Sequence, residues 1–175
     1  MKKVTTVVVA GILTMAANAV FADVAAPDGF YLEGNLGQSR AHDEPSYVKN
    51  TGLGGNINIG YKFMPYLAAE LGGTYYAPSK YAGIKDNHYS ADVAAKGILP
   101  LGQTGIDLFG KLGVAEIQSH IDGYGTEHAT SPYFGAGAEY ALTSNLFANV
   151  QWDRARGNSS TGSLDLASAG LSYMF

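Results

Sequence analysis

From Gly29 to Phe175, apolar and polar residues alternate in segments about ten residues long, separated by clusters of Gly, Pro, Asn, Asp and Ser. Period-two alternation places apolar side chains on one face of an extended strand and polar ones on the other. Eight segments are read: Gly29 to Arg40, Leu53 to Phe63, Tyr66 to Tyr76, His88 to Leu99, Ile106 to Ile117, Ser131 to Ala141, Leu146 to Arg154 and Leu164 to Phe175. In the third, Leu67, Ala69, Leu71 and Tyr75 oppose Glu70 and Thr74. In the seventh, Leu146, Ala148, Val150 and Trp152 oppose Asn149, Gln151 and Asp153. The composition agrees: 23 glycines, 12 tyrosines and only 15% charged residues suit strands and turns better than helices. With no cysteine, disulfides and thiolate chemistry are excluded.

The first residues have a different layout. Met1-Lys2-Lys3 is a short basic stretch, and Val4 to Met15 is largely apolar. Two small-x-small cleavage signals follow, Ala17-Asn18-Ala19 and Val20-Phe21-Ala22, the second favoured because Asp23 would then open the mature chain with a charge. This is the arrangement of a secretory signal peptide, and it predicts cleavage after Ala22. Residues 1–22 are therefore read as a signal peptide and 23–175 as one domain. An uncleaved membrane anchor is the alternative, but Asn18 and the alanines make a poor spanning end.

No later segment approaches the ~20 continuous apolar residues of a transmembrane helix. A membrane role for the mature chain then requires strands, and only a closed barrel satisfies every backbone group in lipid. The expected fold is all-β: an eight-stranded antiparallel up-and-down transmembrane barrel. All prolines (Pro27, Pro45, Pro65, Pro78, Pro100 and Pro132) are expected outside strand interiors or near a break. The connections alternate in length. Met64-Pro65, Pro100 to Gly105 and Leu142 to Asn145 are short, whereas Ala41 to Gly52, Ala77 to Asn87, Gln118 to Thr130 and Ala155 to Ser163 are long and polar. Short turns opposite long outer loops characterise outer-membrane barrels. Alternation alone does not say which face meets lipid, because a soluble barrel alternates in the opposite sense. Charges well inside strands (Glu70, Lys96, Lys111 and Glu139) and the in-phase ending Leu171, Tyr173, Phe175 favour the membrane.

Several ordered pieces resemble the OmpA transmembrane domain. They are Tyr31 with Asn35-Leu36-Gly37, the run Leu53 to Gly73, Ala95-Lys96-Gly97, Lys111-Leu112-Gly113, Gly137-Ala138-Glu139-Tyr140 and the ending Gly170-Leu171-Ser172-Tyr173-Met174-Phe175. The resemblance covers nearly all of the mature chain. It implies that Glu70, Lys96, Lys111 and Glu139 form an interior salt-bridge cluster, thought in that family to act as a gate. It also implies that Phe175, with Tyr173 and Leu171, belongs to the signal read by the outer-membrane assembly machinery. The family places an arginine where this chain has Asn149, so Glu70 is expected to lack one usual partner. The peptidoglycan-binding domain that follows the barrel in OmpA is not expected after Phe175, nor is its cell-wall anchoring role.

An eight-stranded barrel is just wide enough for side chains to fill, so an open porin is not expected. The inward set pits Glu33, Glu70 and Glu139 against Lys62, Lys96 and Lys111. His42-Asp43-Glu44 and His120-x-Asp122 could in principle assemble a hydrolytic or metal site above the barrel. His42, His88, His120 and His128 all fall in loops or at the loop ends of strands, where such pairs are ordinarily solvated surface. Trp152, Tyr61, Tyr140 and Tyr173 read as interfacial aromatics. The formal charge of −4 argues against nucleic acid as a partner.

The expected role is structural and surface-interacting, in the outer membrane of a Gram-negative bacterium. The expected partners are outer-membrane lipid and lipopolysaccharide, the barrel assembly machinery, and host-surface or phage ligands at four outer loops. A narrow low-conductance channel is the alternative, with a lipid A-modifying enzyme behind it. No enzymatic activity, cofactor or metal is expected.

Overall fold

The computed structural model describes residues 28–42, 51–81, 84–121, 125–157 and 162–175. The signal segment with its Ala22 cleavage site, Pro27, Pro45, Asp43, Glu44 and Asp122 lie outside the described residues. Eight strands follow one another: β1 (Gly29–His42), β2 (Thr51–Met64), β3 (Leu67–Tyr81), β4 (Ile84–Pro100), β5 (Ile106–Ile121), β6 (Gly125–Ala141), β7 (Leu146–Arg156) and β8 (Ser163–Met174). Each pairs antiparallel with the next, and β1 pairs with β8 from Tyr31↔Met174 to His42↔Ser163. The sheet closes on itself, so no edge strand is left unpaired. The backbone amide of Phe175 extends the closure by donating to the Phe30 carbonyl at 2.9 Å.

The polarity is that of a membrane barrel. Along β2, Leu53, Ile57, Ile59, Tyr61 and Phe63 are exposed, whereas Asn56, Asn58 and Lys62 are buried. Along β3, Leu71 is 62% exposed while its neighbour Glu70 is 2% exposed. Apolar residues point outward and polar residues inward, the reverse of a soluble barrel. From Phe63 to Leu53 the strand runs about 33 Å, and a tilt of ~40° turns that into a band ~25 Å tall, the height of a membrane barrel's apolar girdle. Aromatic clusters rim this band at the turn end, where Tyr61 meets Phe30 and Phe63 edge-on and Tyr173 meets Phe175. Tyr75 meets Tyr89 towards the other rim.

The short turns are Pro65–Tyr66, Leu101–Gly105 and Leu142–Asn145. In the second, Gly102 and Gly105 adopt φ of +64° and +71°, which non-glycine residues rarely tolerate. At the opposite end two expectations are corrected. The β3–β4 ladder continues to Tyr81↔Ile84 and the β5–β6 ladder to Ile121↔Gly125, so these connections are tight rather than long. The sequence alternation that marks a strand fades in these segments while the backbone ladder continues. The prolines are corrected for the same reason. Pro78 and Pro132 lie within β3 and β6. Pro78 falls where the β3–β4 register shifts between Tyr76 and Ser79. Pro132 stands just beyond Tyr133↔Ala155, the last β6–β7 pair, where a missing donor costs least.

Candidate functional site: the charged lumen

The inward register brings two lysines side by side. Lys96 on β4 and Lys111 on β5 are direct cross-strand partners, and both are buried. Like charges directly opposite one another destabilise a sheet unless acids bridge them. Here Glu33 and Glu70 do so. Lys111 Nζ lies 2.7 Å from Glu70 Oε2 and 3.5 Å from Glu33 Oε1. Lys96 Nζ lies 3.1 Å from Glu139 Oε2, 3.5 Å from Glu70 Oε1 and 3.8 Å from Glu33 Oε2. Glu70, Lys96, Lys111 and Glu139 are thus brought into one cluster.

Glu33 was legible as an inward acid but not as a member of this group, because strand tilt rather than sequence spacing sets which levels meet. A pair of adjacent inward lysines that must be bridged is the signal that could have found it. Glu33 Oε1 also accepts hydrogen bonds from Asn35 and Asn58, each at 2.8 Å. Glu70 accepts one from the Tyr31 hydroxyl at 2.6 Å. Tyr31 and the two lysines therefore serve Glu70, while both side-chain polar atoms of Asn149 are buried without a hydrogen-bond partner among the described residues. The Lys96 ammonium also sits 4.2 Å from the Phe109 ring centroid, a favourable cation–π distance.

Hydrogen bonds continue upward from this cluster. Asn35 donates to Asn56 at 2.7 Å, and Asp153 accepts from Tyr133 at 2.8 Å and from Asn56 at 3.3 Å. Apolar layers cap the polar tier at both ends. Towards the outer end lie Tyr76, Ile117, Tyr133, Leu164 and Leu166. Towards the turn end lie Tyr31, Ile98, Phe109, Phe147 and Met174.

The histidines scatter. His42 Nδ1 lies 3.4 Å from Asp165, and His128 Nδ1 lies 3.1 Å from Glu116 on an exposed surface. His120 stands in β5 opposite Thr126. His88 corrects the expectation of a surface group. β4 begins at Ile84, so His88 falls inside the strand and is buried in the lumen. Among the described residues no group of three or more His, Cys, Asp or Glu could hold a metal ion. Phe175, Tyr173 and Leu171 all face outward at the turn end.

Comparison with known proteins agrees with this architecture. Residues 5–175 match the family described as outer membrane protein beta-barrel domain. Outer membrane protein A of Klebsiella aerogenes is 29% identical over 186 residues, covering 93% of this chain and 53% of the relative. Outer membrane protein A of Yersinia pseudotuberculosis is 30% identical over 171 residues, covering 83% and 48%. The chain spans about half the length of these relatives.

Among solved structures, Neisserial surface protein A aligns with a TM-score of 0.67 at 19% identity, covering 84% of this chain and 97% of that one. Ail, the attachment invasion locus protein of Yersinia pestis, aligns at 0.63 and 16% identity, covering 85% and 100%. These likenesses carry the fold. The family match and the relatives, together with the outward apolar band, place the protein in the outer membrane of a Gram-negative bacterium. The chain belongs to the OmpA-like family of outer-membrane β-barrel proteins.

Proposed function

We propose that this protein is a non-enzymatic structural component of the outer membrane, closed to solutes through its lumen and presenting its outer strand ends for contacts at the cell surface. The observation that carries the reading is the filled interior: a buried ion-pair tier lies between two apolar layers. Such a barrel stiffens its bilayer without exchanging material across it. Its turn-end residues Phe175, Tyr173 and Leu171 are the surface offered to the assembly machinery. Its outer end is offered to lipopolysaccharide and to host or phage ligands. Ail has been solved in complex with the heparin analogue sucrose octasulfate, which makes a sulfated saccharide a sensible first probe of the surface role here.

One observation favours a narrow, gated channel as the second reading. Lys96 has three carboxylates within 3.8 Å, so its ion pairs can exchange without leaving it bare. Planar-bilayer recording separates the two. The structural reading predicts no discrete conductance from the folded protein in moderate salt. Reproducible small steps that change when Lys96 is replaced would establish the channel instead.

A further inference from the structure

The outward face of β7, β8 and β1 changes character within two residue rows. Val150–Ala169–Leu36 is an apolar row across the three strands, and Trp152–Ala167–Gln38 is the next. Arg154–Asp165–Arg40 follows, and above it Arg156–Ser163–His42. Ala41 and Ala155 are buried in the lumen, so the alternating residues Arg40, His42, Arg154 and Arg156 point away from it. These are all three arginines of the chain, whereas the buried lumen network uses lysine alone. A chain with a formal charge of −4 has gathered its guanidinium groups on one outward patch at the upper edge of the apolar band.

The patch is ordered from within. Asp165 accepts from Arg154 Nε at 2.6 Å and Nη2 at 2.8 Å, and it lies 3.4 Å from His42 Nδ1. The Arg154 guanidinium also lies 5.2 Å from the Trp152 ring. One carboxylate thus orients its neighbours, and among the described residues three arginines against it leave the patch cationic. Arg40 and Arg156 are exposed and have no carboxylate partner among the described residues. The corresponding outward positions on β5 and β6 carry Glu116, Gln118, His128 and Thr130, with Glu116 and His128 paired to each other. The same edge on β5 and β6 is therefore not cationic.

Guanidinium groups match phosphate in shape and can bind it through two parallel hydrogen bonds, and they lose less hydration than an ammonium on doing so. An outward-facing charge at this level stands beside the outer-leaflet headgroups rather than in hydrocarbon. We propose that Arg40, Arg154 and Arg156, with His42, form a binding site for the phosphate groups of lipid A, the membrane-embedded end of lipopolysaccharide. Asp165 positions Arg154 for that contact, and Trp152 packs at the boundary with the acyl chains. This rests on the outer-membrane placement and gives the lipid partner a defined site.

Trp152 is the chain's only tryptophan, so its emission reports on the patch directly. The protein, folded in phosphatidylcholine nanodiscs, is titrated with diphosphoryl lipid A, dephosphorylated lipid A, phosphatidylglycerol and inorganic phosphate. Bound lipid is counted in parallel by native mass spectrometry. Diphosphoryl lipid A should give a saturable change in Trp152 emission and a defined stoichiometry. The dephosphorylated lipid and phosphatidylglycerol should bind on the order of tenfold or more weakly. The double variant Arg40→Gln with Arg156→Gln should lose a similar factor, while Glu116→Gln should leave binding unchanged. A heat-modifiable gel shift establishes that each variant is folded, and the comparison of lipids needs no variant at all. Equal binding of phosphorylated and dephosphorylated lipid A, or an equal response to inorganic phosphate, would overturn the assignment. Either result would leave the barrel and its closed lumen untouched.

Discussion

Lys111 is the residue on which the polar tier turns, because it approaches Glu70 to 2.7 Å and also reaches Glu33. Removing one member of a buried ion pair strands the other charge and costs about 3–5 kcal/mol. Lys111→Met should therefore lower stability by about that amount in urea unfolding from lipid vesicles. Glu70→Gln in the same chain should return part of it. The coupling energy of Lys111 with Glu70 should exceed that of Lys96 with Glu70, where the separation is 3.5 Å. Additive double-mutant cycles at both pairs would show that neither lysine interacts with Glu70. Gly60 has an equally local role. A Cβ there would run into the Tyr31 ring, whose hydroxyl donates to Glu70. Gly60→Ala should push Tyr31 aside and cost about 1–3 kcal/mol. Unchanged stability in the same unfolding assay would show that the ring can move freely.

Each strand reads as two faces in different solvents. Arginine near the bilayer midplane costs about 2–4 kcal/mol on the lipid face of a barrel. Leu71→Arg and Val150→Arg should pay that penalty. Thr74→Arg, on the inward face of the same strand as Leu71, should fail differently, by crowding the lumen. Equal folding defects for the lipid-face and lumen-face variants, measured in liposomes, would show that the assignment of faces is wrong. The faces were legible in the sequence because lipid and lumen impose opposite demands on alternate residues, as Leu71 beside Glu70 shows. The upper strand ends were not, because the residues that lead to Tyr81↔Ile84 and Ile121↔Gly125 carry no regular period-two alternation, which backbone pairing does not require. Pro132 misled for a related reason: its strand continues on the β5 side after pairing to β7 has stopped. Among the candidate site residues, the four lumen charges could be found from phase and resemblance. Glu33 was legible only as an inward acid and the Tyr31–Glu70 hydrogen bond not at all, since which levels meet depends on how far the strands tilt around the barrel.

At the scale of the whole molecule, closure between β1 and β8 makes lipid exposure and lumen filling one property. The ring of eight strands separates two environments, and every side chain on a spanning strand belongs to one or the other. The chain contains no cysteine, so single cysteines can be introduced against a silent background. The decisive measurement is a cysteine scan along β5 and β7 of the protein folded in bilayers, using a nitroxide label and lipid-soluble oxygen as the relaxing agent. Labels at Leu112, Val114, Ala148 and Val150 should be strongly relaxed by oxygen. Labels at Ala115, Ile117, Asn149 and Gln151 should be protected, giving period two along both strands. Uniform accessibility along the strands, or relaxation at the inward set with protection of the outward one, would contradict the transmembrane barrel on which the whole account stands.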